Sequence, residues 1–292
     1  MDDNHQSTRE LLEHLQLEQL EVNLFRGSSR DIGTPQVFGG QVLGQALLAA
    51  SRTIEDKIAH SLHAYFLRPG DPEHPIVYDV DRSRDGRSFA VRRVEAIQHG
   101  RPIFNMAASF QLDQPGVEHQ FTAPDVPGPD ELSESDPLPA EAMEKIPQNF
   151  RRWFKRGGPF DFRSVVPSDP MNPVKQAPHK NVWFRCMGKV PDDDCLHRVL
   201  LAYVSDFHLI DTATLPHGLS YLKGNVRMAS LDHALWIHRP PRVDEWLLYS
   251  CDSPSSSGSR GIARGMIFDQ QGTLIASTAQ EGMIRTRSPK PD

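Results

Sequence analysis

The stretch SLDHALWIHRP at residues 230–240 decides the fold, because a shorter form of it, SLHAYFLRPG, occurs earlier at residues 61–70. The two stretches start roughly 170 residues apart, so the chain repeats a unit of domain size. Both are rich in the apolar and aromatic residues that are typical of strands. We therefore predict that the phrase marks the same strand in two tandem copies of one domain.

The first copy is organised as a helix followed by strands. Residues 37–54, VFGGQVLGQALLAASRTI, are small or apolar on almost every side, which is typical of a buried helix. Residues 60–111 contain runs of β-branched and aromatic residues separated by Asp-Gly and His-Gly turn dipeptides. We predict antiparallel strands wrapped around one buried helix. A short helix before them is indicated by Ser7 and Glu10, which have capping-box spacing.

The second copy follows the same order. Residues 195–210, CLHRVLLAYVSDFHLI, predict another nearly all-apolar helix, and strand patterns follow at 230–240, 245–253, 258–269 and 273–285. The order of one helix followed by strands therefore occurs twice. We expect the two sheets to join edge to edge, which also removes exposed strand edges.

A proline-rich segment separates the two copies. It holds roughly half of the 24 prolines of the chain, in polar surroundings, which is typical of a long connection rather than of a third core. We place an N-terminal domain at residues 1–115, a connector at 116–178 and a C-terminal domain at 179–292. Residues 143–154, MEKIPQNFRRWF, predict a short helix inside the connector.

Composition narrows the class of protein. The chain has 292 residues, 38% of them hydrophobic, which is enough for a sizeable core. Its formal charge of -6 gives no general attraction for nucleic acid or an anionic membrane, so neither is expected as a partner. The three cysteines are odd in number and lack paired metal spacing, so we expect neither disulfides nor a metal site.

Patterns for targeting and for cofactor binding give two further expectations. The N-terminus, MDDNHQSTRE, is acidic and polar where a signal peptide is basic and then apolar, and no apolar run reaches the roughly 18 to 20 residues of a membrane span. We therefore expect a cytoplasmic protein. The chain also lacks the glycine-rich dinucleotide fingerprint and the phosphate-binding loop pattern, so no cofactor is expected.

Several specific segments in one order resemble the acyl-CoA thioesterase II family of double-hotdog enzymes, from about Leu11 to Arg285. The resemblance implies an α+β fold of two tandem hotdog domains, each an antiparallel sheet around a buried helix, joined into one continuous sheet. It also implies hydrolysis of fatty acyl-CoA to fatty acid and CoA, and association of two or more copies, as a dimer or tetramer. The segments that carry it are VFGGQVLGQAL (37–47), HSLHAYFLRPGD (60–71), RDGRSFAVRRVEAIQ (84–98), LLAYVSDF (200–207), LDHALWIHRP (231–240), EWLLY (245–249) and ASTAQEG (276–282).

The two copies differ in their polar residues. Asp206 ends the apolar run LLAYVSD, whereas the matching end of the first helix has no carboxylate. Hydrolysis of a thioester needs a group that accepts or steers the proton of water, and Asp206 is a candidate for that role. The alternative is a helix-terminal cap in contact with solvent. Aligning the last strands of the two copies puts Ser109 or Gln111 near the position of Gln280.

The resemblance adds roles for three residues. Enzymes of this family use an Asp, a Thr or Ser and a Gln to hold the attacking water, and the matching positions here are Asp206, Ser230 and Gln280. Serine is a departure from the threonine that is familiar in relatives, although both supply one hydroxyl. Taken alone, Ser230 and Gln280 would be ordinary surface residues. The implied reaction is direct attack of water, without an acyl-enzyme.

The segment FGGQV, with Gly39, Gly40 and Gln41, is the best candidate for binding the oxyanion that forms on the substrate carbonyl. Backbone amides at a helix N-terminus carry partial positive charge, and glycine allows close approach. The alternative is that the glycines only let the chain turn into the helix. His60 is a further candidate for substrate contact. His63 and His233 recur in both copies, which indicates a shared structural role.

Other functions are weighed against this one. A serine esterase needs a G-x-S-x-G turn between a strand and a helix, and GRSFA at 86–90 lacks the last glycine and leads into a strand. A hotdog enoyl-CoA hydratase would need an Asp and a His on one helix face, whereas Asp206 and His208 are two residues apart. A non-catalytic acyl-CoA-binding module would lack one of the three polar residues. We therefore favour the hydrolase.

Overall fold

The two copies of the repeated phrase lie side by side at the centre of one antiparallel sheet. In the computed structural model, which describes residues 3–30, 36–132, 144 and 158–286, His63 lies opposite Ala234 and Ala64 lies opposite His233. The strand that the sequence repeats is therefore the strand through which the two halves join. The prediction that the sheets meet edge to edge is confirmed.

Three α-helices and thirteen strands make up the described fold. The helices are α1 Asp3–Leu15, α2 Gly39–Ser51 and α3 Asp194–Val204, with 3-10 helices at Pro129–Glu131 and Ile210–His217. The strands are β1 Leu17–Glu21, β2 Leu24–Gly27, β3 Ile58–Phe66, β4 Ile76–Asp85, β5 Phe89–Gln98, β6 Arg101–Gln111, β7 Phe160–Ser164, β8 His179–Cys186, β9 Val226–Ser230, β10 Asp232–Ile237, β11 Leu247–Ser257, β12 Arg260–Asp269 and β13 Leu274–Thr286.

The order of the strands shows the duplication. Across the sheet it runs β1-β2-β4-β5-β6-β3 in the first half and β10-β13-β12-β11-β8-β7 in the second, with β9 paired to β13 beside this path. Each half surrounds one helix, α2 or α3. The predicted α+β fold of two hotdog units in one continuous sheet is confirmed.

The core is built where the two central helices meet. Every residue of α2 from Gly40 to Ala50 is buried, which explains why that helix has no polar face. It packs against α3 without intervening side chains, because a Cβ atom on Gly40 would lie 2.2 Å from the carbonyl oxygen of Tyr203. At Gly44 a Cβ would lie 3.3 Å from the carbonyl oxygen of Val199. These glycines therefore allow backbone contact between the helices.

Several boundaries differ from the predictions. Helix α1 starts at Asp3, so Ser7 does not cap it, because the helix has already begun one turn earlier. Helix α3 ends at Val204 instead of continuing to 210, and His208 has a left-handed backbone with φ of 62° that breaks the helical path. Asp206 thus lies in the turn after the helix.

Part of the predicted connector belongs to the sheet. Strand β7 lies within residues 116–178 and pairs with β8, just as β1 pairs with β2 in the first half. Farther upstream, Ala123 and Val126 pack against Trp183 and Trp246 of the second half. The domain boundaries stay predictions, and the helix predicted at 143–154 falls, except for Glu144, outside the described residues. No helix among those residues is long and apolar enough to cross a membrane.

Candidate active site

Asp206 is buried, although it lies at the end of a helix. Its side chain is only 5% exposed, so it is not a cap in contact with solvent. The turn after α3 directs it towards the N-terminus of α2, in the other half of the molecule. A carboxylate in such a place needs hydrogen bonds to offset its lost hydration.

Gln280 joins the three predicted residues into one cluster. Its Nε2 donates to Asp206 Oδ1 at 2.6 Å and lies 3.1 Å from Ser230 Oγ. Ser230 ends β9, which pairs with β13 so that Ser230 lies opposite Gly282, two residues beyond Gln280. A turn and two strands of the second half therefore bring together residues that are far apart in sequence.

The environment of Asp206 raises its pKa. Burial is the main cause, and it is opposed by hydrogen bonds from Gln280, the Gly40 amide and the Ser230 hydroxyl. The carboxylate is therefore a stronger base than an exposed aspartate while it remains held by three donors. Buried carboxylates of this kind are typical of functional sites.

The two glycines at the start of α2 have different surroundings. The backbone N–H of Gly40 is directed at Asp206, so it serves the carboxylate and is not open to a substrate. Gly39 leaves room for Asp206, because a Cβ there would lie 2.6 Å from Oδ2. The Gly39 amide opens the helix, whose N-cap residue Phe38 provides no side-chain cap. The oxyanion role predicted for the pair therefore stays a prediction for Gly39 alone.

A cleft of about 180 Å³ runs past this cluster, between the two halves of the molecule. Asp206 lies behind Gly39, and Gln280 lies behind Ser230, two residues that line the cleft. Its wall includes Val37, Gly39, Val42, Phe66, Ile103 and Ser230. The cleft therefore offers apolar surface beside one polar corner.

Two residues of the sequence-based site lie elsewhere. The Gln41 side chain accepts from the Arg30 amide at 3.1 Å and lies 3.3 Å from the Ser28 carbonyl oxygen, so it holds a loop. His60 pairs with Ser109, Nε2 to Oγ 2.8 Å. His60 comes four residues before Ala64, which is about 13 Å along a strand, and Ala64 is the residue that lies opposite His233. The structure does not bring either residue to Asp206.

The alternation of side chains along the strands corrects two alignments. His63 is exposed and His233 is buried, because His63 lies opposite Ala234, the residue after His233, and consecutive residues of a strand point to opposite faces. The two histidines therefore have no shared role, contrary to our prediction. Likewise, Gln280 points into the core, whereas Ser109 and Gln111 are on the outer side of β6.

His233 is the neighbour of the cluster that we missed. It is fully buried, its Nδ1 lies 3.3 Å from Gln280 Nε2, and its Nε2 lies 3.0 Å from Ser205 Oγ. Burial lowers its pKa to about 3, so the imidazole is neutral. Its place beside Gln280 is set by the pairing of β10 with β13, which residue spacing in the sequence does not reveal.

One group among the described residues has the spacing of metal ligands. Asp71, His74 and His99 lie with their ligand atoms within 4.8 Å of one another. They sit at the protein surface, and Asp71 is hydrogen-bonded to both histidines. None of these bonds leads to Asp206, so the group is separate from the cluster described above.

Comparison with known proteins gives one consistent family. A family model described as acyl-CoA thioesterase matches residues 161–283, and one described as acyl-CoA thioesterase N-terminal domain matches residues 26–111. Acyl-CoA thioesterase 2 of Haemophilus influenzae is 42% identical over 276 residues, covering 94% of this chain and 96% of that protein. Human acyl-coenzyme A thioesterase 8 is 41% identical over 282 residues, covering 94% and 88%. The crystal structure of acyl-CoA thioesterase II TesB2 from Mycobacterium marinum is 44% identical with a TM-score of 0.76, covering 94% and 98%.

Proposed function

Given that the chain belongs to the acyl-CoA thioesterase family and is an acyl-CoA thioester hydrolase, we propose that Asp206, Ser230 and Gln280 hold the attacking water. The observation that carries this proposal is the pair of short contacts from Gln280 Nε2 to Asp206 and Ser230. These contacts support the proposal because they join a carboxylate and an amide to Ser230, whose residue lines the cleft. The products are a fatty acid and free CoA.

The reaction needs no covalent intermediate with the protein. Water donates one proton to the Asp206 carboxylate while its oxygen attacks the thioester carbon. The charge that develops on the carbonyl oxygen lies beside the Gly39 amide at the start of α2. The carbon–sulfur bond then breaks, and the leaving thiolate takes the proton from Asp206, which regenerates the carboxylate and releases CoA as the thiol.

The hydratase alternative has less support from the geometry. His208, the nearest histidine in sequence, has a left-handed backbone and its ring lies 4.7 Å from that of Phe162. His233 comes within 4.0 Å of Asp206, yet its side chain is completely buried behind Gln280. A neutral histidine in that place has no path to protonate a substrate. A binding module that lost its activity is also disfavoured, because the polar cluster is complete.

A second opening beside the cleft gives the CoA end of the substrate a way out. This opening shares Arg68, Pro69 and Ile103 with the first and also includes His99 and Arg101. Arginine is well suited to bind the phosphates of CoA. We therefore place the acyl chain among the apolar residues of the cleft and the phosphates near Arg68 and Arg101.

The test is release of free thiol from acyl-CoAs of short to long chain, comparing the wild type with Asp206→Asn. Loss of a general base predicts a fall in kcat of about 10²-fold to 10⁴-fold. Asp232→Asn is the matched control, because Asp232 is a half-buried aspartate that accepts from the Glu281 amide, a bond that asparagine keeps. Full activity in Asp206→Asn would refute the proposed mechanism. Thiol release absent even from the wild type would require an assay of enoyl-CoA hydration.

Two further expectations stay predictions. The family resemblance implies association of two or more copies, which light scattering on the purified protein measures directly. A cytoplasmic location is likewise a prediction and is checked by fractionation of the source cells.

A further inference from the structure

We propose that His233 is a positioning residue, which accepts a hydrogen bond from Gln280 and thereby fixes the orientation of the Gln280 amide beside Asp206. This inference rests on the proposed function, since it concerns how the same cluster is held in its working arrangement. His233 contacts neither cleft nor solvent, so its effect must pass through Gln280.

The hydrogen-bond chain begins at a group that only accepts. Ser205 Oγ donates its single hydrogen to the Ala202 carbonyl oxygen at 3.0 Å. The same oxygen must therefore accept from His233 Nε2, which lies 3.0 Å away. Nε2 thus carries the hydrogen of the neutral ring, and Nδ1 is left as an acceptor.

The chain ends at a second group that only accepts. The ionised Asp206 requires a donor at Oδ1, so the Gln280 nitrogen and not its oxygen must face it at 2.6 Å. Its second hydrogen has two acceptors within reach, Ser230 Oγ at 3.1 Å and His233 Nδ1 at 3.3 Å. The other tautomer of His233 would direct an N–H at the Gln280 N–H group. Donors and acceptors along the whole chain agree with a single arrangement.

This arrangement leaves one acceptor for the reaction. Gln280 is 1% exposed, and its Oε1 is buried without a hydrogen-bond partner among the described residues. A buried carbonyl oxygen without a partner is uncommon and calls for an explanation. The attacking water has two hydrogens, one for Asp206 and one for this oxygen. A flipped amide would repel Asp206 with its oxygen and would offer the water no acceptor.

Two substitutions of His233 separate this role from simple packing. His233→Phe fills the space but removes the acceptor, so kcat should fall about tenfold to a hundredfold with KM changed less than about twofold. His233→Asn places its carbonyl oxygen, Oδ1, where the histidine has Nδ1, because both atoms are bonded to Cγ. This variant should therefore recover most of the lost kcat. Tyr249→Phe is the control for lost buried hydrogen bonds. The Tyr249 hydroxyl binds the Ser205 carbonyl oxygen and Thr278, and neither of these groups takes part in the hydrogen bonds of His233. It should lower the melting temperature and leave kcat unchanged.

A double-mutant cycle provides the readout that a structural role would not give. If His233 acts through Gln280, adding His233→Phe to Gln280→Ala should change kcat less than about twofold, because no amide remains to be oriented. The same fall in both backgrounds would overturn the proposal, as would an unchanged kcat in His233→Phe. Should that variant fail to fold, Ser205→Ala decides, since it removes one oxygen atom. Its kcat should fall severalfold, and an unchanged kcat would also overturn the proposal.

The two proposals fail separately. If Asp206→Asn and Gln280→Ala keep full activity, the proposed mechanism is wrong. If both are impaired while His233→Phe is not, only the role of His233 is wrong.

Discussion

Gly39→Ala tests most directly whether the close approach of the two halves matters for catalysis. The added Cβ would lie 2.6 Å from Asp206 Oδ2 and 3.0 Å from the Phe66 ring. Ordinary contact begins near 3.4 Å, so the carboxylate or the helix N-terminus must move by about 0.8 Å. Asp206 is held by Gln280, and a displacement of about 1 Å in an active site can reduce the rate about 10²-fold. We expect kcat to fall about tenfold to a hundredfold.

Stability should change little in this variant. Alanine is a better helix former than glycine by about 1 kcal/mol, which offsets part of the cost of crowding, itself about 1 to 3 kcal/mol. Gly44→Ala, just over one turn farther along α2, is the matched control, because its Cβ would lie 3.3 Å from the Val199 oxygen and needs only a slight adjustment. It should keep kcat within about twofold of the wild type.

The assay is steady-state thiol release with one good acyl-CoA substrate, with the melting temperature of each variant measured in parallel. Wild-type kcat in Gly39→Ala would refute the idea that the position of Asp206 depends on the absence of a side chain at this point. An equal loss in Gly44→Ala would show that any crowding of α2 is harmful, and would remove Gly39 from the site.

Three other predictions follow from the same contacts. Because burial raises the pKa of Asp206 and the base must be ionised, kcat/KM should fall as pH drops through an apparent pKa above 3.8, and Asp206→Asn should lack this acid limb. Gly40→Ala should destabilise the fold by about 3 kcal/mol or more in denaturant unfolding, because its Cβ would meet the Tyr203 backbone at 2.2 Å; a wild-type midpoint would contradict the helix contact. Arg68→Ala and Arg101→Ala should raise KM for acyl-CoA at nearly constant kcat, and an unchanged KM at low salt would place the phosphates elsewhere.

The sequence predicts the fold well because the main signals are local. The absence of a polar face on residues 37–54 follows from burial between a sheet and a second helix, and the structure confirms it. Strand β7 was missed because it is five residues long and lies in proline-rich surroundings. The predicted orientation of side chains was wrong where it depended on a single residue of register. His63 and His233 match as letters, yet one residue of offset puts them on opposite faces of the sheet.

The site was less predictable from residue patterns alone. Asp206 could be singled out as a carboxylate after an apolar run, but Ser230 and Gln280 were identified only through the family resemblance. Their meeting point depends on the pairing of β9 with β13, a contact between strands that are 50 residues apart. No spacing rule predicts such a pairing. His233 was assigned a structural role for the same reason, because its partner is set by register and not by sequence distance.

The two halves of the duplicated fold differ at the starts of their central helices. Helix α3 begins at an N-cap, Asp193, whose side chain accepts from the Leu196 amide, so its positive end is already neutralised by a carboxylate. Helix α2 begins after Phe38, whose side chain provides no such cap, and its Gly40 amide donates to Asp206 in the turn that follows α3. An uncapped helix start in one half therefore meets Asp206 from the other half. The carboxylate that α3 takes from its own Asp193 is thus supplied to α2 by the opposite half, so both halves are needed to build this cluster.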